Sequence, residues 1–257
     1  MKTLFCLLAV SAFFLHPVPV HADLTIVYSV AIQPESQKGE KPAAGTNMTL
    51  KIKGDKVRVE ASPEMTTIFD GTTGEVINLM NEQKMVVRIS PEKMKAVTEM
   101  INKFSGNKSA PEKPKLTSTG HKEMVDGYET QQYTYEGPNF RAICWVAPGY
   151  PNGAAILAQL QSIKSDLWDA ANTKMPDFRD FPGLPIRTRM IMGKDAEEKK
   201  PGKNSSDHAT EIISTLTSVN QNPISDSEFV VPTDYKEPKL PDIFGGTTAA
   251  PSASPSP

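Results

Sequence analysis

The sequence predicts an α+β, mainly β protein: a single antiparallel incomplete barrel, a half-barrel, wrapped around two amphipathic helices. Three observations carry this expectation. Apolar residues alternate at period two through most of the first third and again later. Short turn-forming clusters separate those runs, and two segments switch to spacings of three and four. A sheet with one apolar face and helices with one apolar stripe bury each other, and 257 residues are ample for one such core. Lys and Arg total 28 against 30 Asp and Glu, a net charge of −2, so no electrostatic footprint for nucleic acid is present.

Residues 1–22 carry the pattern of a cleavable secretory signal. Lys2 precedes the apolar run Leu4–Leu15, Pro17 and Pro19 break it, and Val20-His21-Ala22 places small residues at the cleavage site. The run is shorter than the roughly 20 residues that a membrane-spanning helix needs. Cleavage after Ala22 would remove Cys6, leaving Cys144 with no internal disulfide partner. The expected address is therefore the periplasm or the extracellular space. The Asn-x-Ser/Thr triplets at Asn47, Asn107 and Asn204 are short enough to arise by chance, and a bacterial envelope protein would leave them silent.

In chain order, Leu24, Ile26, Tyr28, Val30 and Ile32 predict the first strand. Met48, Leu50 and Ile52 predict the second, and Val57 and Val59 the third. Gly54-Asp55 reads as a two-residue hairpin turn and Asp70–Gly74 as a longer one. A short loop at Asn81–Gln83 leads to Met85, Val87 and Ile89, completing a meander of about six strands. Pro91 opens a helix where its missing N–H costs nothing. Met94, Val97, Ile101 and Phe104 form its stripe, and Gly106 ends it. Strands are then expected over 115–123, 128–136 and 140–147. A second helix fits 152–171, with Ile156, Leu160, Ile163 and Leu167 on one stripe and Trp168 beside it. A strand pair, 186–192 and 210–219, closes a domain of residues 23–237 and a total of nine to eleven strands. Residues 238–257, rich in Pro, Ser and Ala, cannot repay ordering and read as a disordered tail.

The sequence carries few residues in chemically suggestive patterns. His121 and His208 stand apart in no ligand spacing, and no cofactor or metal motif occurs. Cys144 alternates with Phe140 and Val146, an apolar setting that makes a buried inert thiol the expectation rather than a nucleophile. Asp177 and Asp180 could form an acid/base pair. Arg179 and the flanking prolines instead suit a packed bend anchored by Phe178 and Phe181. No enzymatic role is expected. Met80, Met85, Met94, Met100 and Met124 cluster in or near the sheet and first helix. They suit either an adaptable apolar binding surface or an irregular core.

Several motifs, in order, resemble a family of exported bacterial proteins called domain of unknown function 4412. They are Lys56–Glu60, Ile68–Val76, Asp126–Tyr133, Trp145–Pro148 and the closing Phe229–Tyr235. That family is in turn similar to the LolA/LolB-type envelope proteins. The resemblance implies an incomplete antiparallel barrel curled around helices that can hold acyl chains, and it implies no activity. This chain lacks a lipobox cysteine, which implies a protein that is not lipid-anchored.

The functional expectation is an exported protein, soluble and monomeric, that binds an apolar ligand such as an acyl chain, a lipid or a lipidated partner. Met94, Val97, Ile101 and Phe104 would act as a lid, and Leu157, Leu160 and Ile163 would line the interior. The alternative is a structural or interaction protein of the cell envelope, docking another protein with no small ligand.

Overall fold

The computed structural model describes residues 23–34, 45–104, 115–137, 140–162, 180–192 and 210–238. The expected signal at 1–22 and the tail from 239 onward lie outside the described residues. Strands run β1 Leu24–Pro34, β2 Thr46–Lys53, β3 Lys56–Ser62, β4 Met65–Asp70, β5 Glu75–Met80 and β6 Met85–Ile89. Helix α1 spans Pro91–Phe104 and is followed by β7 Thr117–Val125, β8 Tyr128–Gly137 and β9 Phe140–Ala147. Helix α2 spans Gly153–Ser162 and precedes β10 Leu184–Met192 and β11 Thr210–Asn220.

All eleven strands join one sheet in the order β6-β5-β4-β3-β2-β1-β11-β10-β9-β8-β7, and every ladder is antiparallel. The first and last strands of the chain meet at its centre, whereas β6 and β7 are its edges. The sheet is thus open. Asp126 and Gly127 take φ of 49° and 86°, the mirror-image turn that fits a tight hairpin, and this fixes Val125 opposite Tyr128. For that reason β7 runs two residues later than the alternation suggested. Helix α2 begins one residue later than predicted because Asn152 sits at φ 54°, a left-handed conformation that asparagine tolerates. Residues 163–171 of the predicted helix lie outside the described residues. Gly71 shows why the loop after β4 needs glycine: its N–H donates to Asp55 O at 2.8 Å, and a Cβ would lie 2.8 Å from that oxygen.

The ladder register sorts side chains onto two faces. Helix α2 packs on one of them: Ile156 and Leu160 join Leu24, Ile26, Leu50, Ile52 and Val57, while Leu157 joins Tyr135, Phe140, Ala142, Cys144 and Val146. Leu24, Ile26 and Ile52 are at most 1% exposed, and each contributes on the order of 1.5–3 kcal/mol by burial.

The opposite face of β3–β6 is covered differently. The chain after β11 forms a 3-10 turn at Asp226–Phe229 and sets Phe229 against Ile68, Ile77, Leu79 and Val86, with Ile224, Val231 and Tyr235 beside it. Lys51, Lys53 and Arg58 project from the same face and grip this segment. Arg58 Nη1 donates to Glu228 O at 2.8 Å and Lys53 Nζ to Ile224 O at 2.6 Å. Farther on, the segment runs beside edge strand β6, where Val86 N donates to Lys236 O and Lys236 N to Lys84 O. The exposed backbone of that edge is thereby paired, which protects it from association with other strands.

Candidate functional site

With α2 on one part of the helix-bearing face and the C-terminal segment on the other face, one apolar area of the sheet is left half open. It begins on β3 and extends to β6: Val59, Phe69, Val76, Met80, Met85, Val87 and Ile89 share the helix-bearing face and are all only partly buried. On the same three outer strands the opposite-face residues Ile68, Leu79 and Val86 are at most 3% exposed. The face continuous with the main core is therefore the wetter one here, an inversion produced by the docked C-terminal segment.

Methionines concentrate on this area. Met65 faces Met80, and Met80 faces Met85, in one row across β4, β5 and β6; Met48 faces Tyr28. Met190 faces Ala142 and Ile212, and Met192 faces Phe140. These six methionines share the helix-bearing face. They also share one end of the sheet, where β1 connects to β2, β3 to β4, β5 to β6 and β10 to β11; α2, joining β9 to β10, lies at the other end. Ile32 at 57%, Met65 at 50% and Met192 at 42% exposure show that this end presents apolar surface.

The electrostatics are equally one-sided. Among the described residues of β1–β6 and β9–β11, no Asp, Glu, Lys or Arg takes a position on the helix-bearing face. All of them fall on the other, as with Lys51, Arg58, Glu60, Arg88, Arg141, Arg187, Arg189 and Glu211. Polar groups on the helix-bearing wall are neutral: Thr67 Oγ1 donates to Asn78 Oδ1 at 2.8 Å. Toward the β7 edge the same face does carry charge, since Lys122 and Glu129 take positions on it and pair at 3.1 Å. The methionine-lined stretch can hold hydrocarbon.

Of the residues singled out from sequence, Leu157 and Leu160 are 7% and 2% exposed, and protein side chains surround them. Met94 is half-buried at the start of α1. The backbone of α1 is described through Phe104. The side chains of Val97, Ile101 and Phe104 lie outside the described residues, as does Ile163. Cys144 has no exposed surface, and burial pushes its thiol up to about 12. Asp180 and His121 are exposed, Phe181 is buried as an anchor, and Asp177, Phe178 and His208 lie outside the described residues. Among the described residues no cluster of His, Cys, Asp and Glu could hold a metal ion, and no helix is long and apolar enough to cross a membrane. The wall residues Met48, Met65, Met190 and Met192 were missed by sequence reasoning. Strand alternation gave each a face, but only the strand order brings them to one end.

The chain matches, over residues 38–235, the family described as a domain of unknown function, DUF4412. It belongs to that family. Among curated proteins, none matches the chain. Among solved structures it is similar to PNGF-II in its P21 crystal form, with 12% identity and a TM-score of 0.39 over 84% of this chain and 31% of that one. The C2 form gives 15% identity and a TM-score of 0.37 over 84% and 30%. The chain spans less than a third of each.

Proposed function

We propose that this family member is an exported, non-catalytic protein of the bacterial envelope. It binds an apolar ligand, an acyl chain or a lipidated partner, against the helix-bearing face of its sheet. In this reading the open sheet curls around its helices in the LolA/LolB manner, α2 fills one end, and α1, which leaves β6 at that same end, acts as a lid. The observation that carries it is the methionine end: six methionines and the exposed Ile32 on one face, where the described residues of β1–β6 and β9–β11 place no charge. Methionine has three rotatable bonds and a polarisable sulfur, so such a wall adapts to chains of different length and kink.

Native mass spectrometry on protein purified from its own envelope tests this. Bound lipid or acyl species should be released from the wild type and lost from the double variant Met65→Glu, Met80→Glu. Wild-type protein that is repeatedly empty would sink the reading.

A second reading, an interaction protein with no small ligand, is favoured by β7. Eight of its nine residues are exposed, and it is an edge whose free backbone can accept an extended segment of another protein. Empty wild-type protein together with a stable partner cross-linked at Thr117–Met124 would favour it.

A further inference from the structure

Met65, Met80 and Met85 are nearest neighbours on three consecutive strands. Met65 faces Met80 across the β4–β5 ladder, and Met80 faces Met85 across β5–β6, where that pair closes the hairpin. Directly opposed residues of an antiparallel pair hold their Cβ atoms about 4.5–5.5 Å apart, so the three thioethers fall within one another's reach. All three side chains are partly open to solvent, Met65 most of all. The backbone beneath the row is fixed from several directions. Asn81 N donates to Glu64 O at 2.8 Å and Asn81 Nδ2 to Pro63 O at 2.7 Å, which ties the turn after Met80 to the turn before Met65. Tyr235 Oη donates to Asn81 Oδ1 at 2.9 Å, and Lys236 is hydrogen-bonded to the backbone of Lys84 and Val86, on either side of Met85. The three Cα positions are therefore set in advance, while three rotatable bonds leave each sulfur free to turn.

The donor set selects its ion. Thioethers are neutral and soft, so they suit Cu(I), whereas Mg, Ca and Mn take oxygen donors. On β4–β6 this face places no Asp, Glu or His that would recruit a harder cation. The turns at the same rim do carry charge. Lys84 is drawn to Asp234 at 2.7 Å, and a hydrogen bond from Ser62 keeps the Glu64 carboxyl below its usual range, hence negative. Met65 and Met85 stand two strand spacings apart, about 9–10 Å, so thioethers turned inward from both sides can meet beside Met80 on one ion.

We infer that Met65, Met80 and Met85 form a three-thioether site for a soft monovalent cation, Cu(I), at the rim of the sheet. Met80 is the central ligand, and Met65 and Met85 close on the ion from either side. A thioether has no proton to lose, so this site keeps its affinity in mild acid, where histidine, cysteine and carboxylate sites weaken. The inference goes beyond the apolar reading and does not rest on it, since it needs three sulfurs and no hydrocarbon ligand.

The test is a titration of the full chain, carrying 13C in its methionine methyl groups, with silver nitrate in chloride-free buffer; Ag(I) stands in for Cu(I) without its redox chemistry. The methyl resonances of Met65, Met80 and Met85 should move together and saturate near one equivalent, with the same affinity at pH 7 and pH 5. Met124 is 66% exposed and faces Glu129 rather than another methionine, so it is the internal reference. Its methyl should respond only at silver concentrations at least about tenfold higher, because a single thioether is a weak ligand. Met80→Leu and Met65→Leu conserve volume and apolarity, so both should fold, and each should weaken silver binding by about tenfold or more. Met124 responding together with the three, or unchanged silver affinity in either folded variant, would overturn the site. Uptake of the fluorescent probe N-phenyl-1-naphthylamine by the wild type reads the apolar site separately, and its absence would overturn that reading alone.

Discussion

Cys144 lies on β9 with Thr188 Oγ1 4.0 Å from its sulfur, enclosed by Phe140, Ala142, Val146 and Leu157. Burial raises the thiol to about 12, so almost no thiolate exists at pH 8, and the thiolate is the reactive form. Native protein should therefore resist iodoacetamide at pH 8 and react fully once denatured, as intact-mass measurement would show. Native labelling would mean that this strand opens. Phe229 is the residue that the C-terminal segment buries against the sheet, and it is 5% exposed. Phe229→Ala should cost about 3 kcal/mol, read as a lowered urea midpoint, because it removes an aromatic ring from between four aliphatic side chains. Both environments differ in legibility. Phe140, Ala142 and Val146 lie within about four positions of Cys144, whereas the buried aliphatic residues against Phe229 belong to β4, β5 and β6, far away in sequence.

At the scale of elements, the segment after β11 is held by ion pairs as well as by Phe229. Lys51 meets Glu228 at 2.9 Å, Lys53 meets Asp226 at 2.8 Å and Lys84 meets Asp234 at 2.7 Å. Hydrogen bonds from these lysines hold the three carboxyl groups below their usual range. A depressed carboxyl stabilises the folded state above its unfolded pKa, near 4, and that contribution fades as pH falls through the lower folded value. The segment should therefore loosen below about pH 4 and not on the alkaline side. Hydrogen exchange over residues 224–237, corrected for intrinsic rates, should show protection falling between pH 5 and pH 3 more steeply than in β1; equal loss in both would refute a local clamp. The pairs are solvent-exposed for the most part, so Phe229 carries more of the attachment than they do. The strands and the start of α1 were readable because period-two runs, turn glycines and Pro91 act locally. Segment 224–238 was not, because it has no periodicity of its own and takes its place only from the sheet beneath it.

For the whole molecule, topology assembles the methionine end of the sheet. Six methionines from β2, β4, β5, β6 and β10 reach one end only because β1 and β11 meet in the middle of the sheet. Placing a charge in this wall separates binding from folding: Met65 is half exposed, so Met65→Glu should shift the urea midpoint little while weakening uptake of N-phenyl-1-naphthylamine by about tenfold or more. Equal probe binding by Met65→Glu and wild type would place the ligand elsewhere. The sequence by itself determined a mainly β, antiparallel chain, its strands and their turns, the first helix, the buried thiol and the family resemblance, since each depends on residues a few positions apart. Only the tertiary structure decided that the closing segment covers the outer face of β3–β6, that Leu157 and Leu160 belong to the core, and that Tyr28 ends beside Met48. The physical reason is one of range: local pattern selects the face of each strand, but strand order and register select its neighbours, and binding surfaces are made of neighbours.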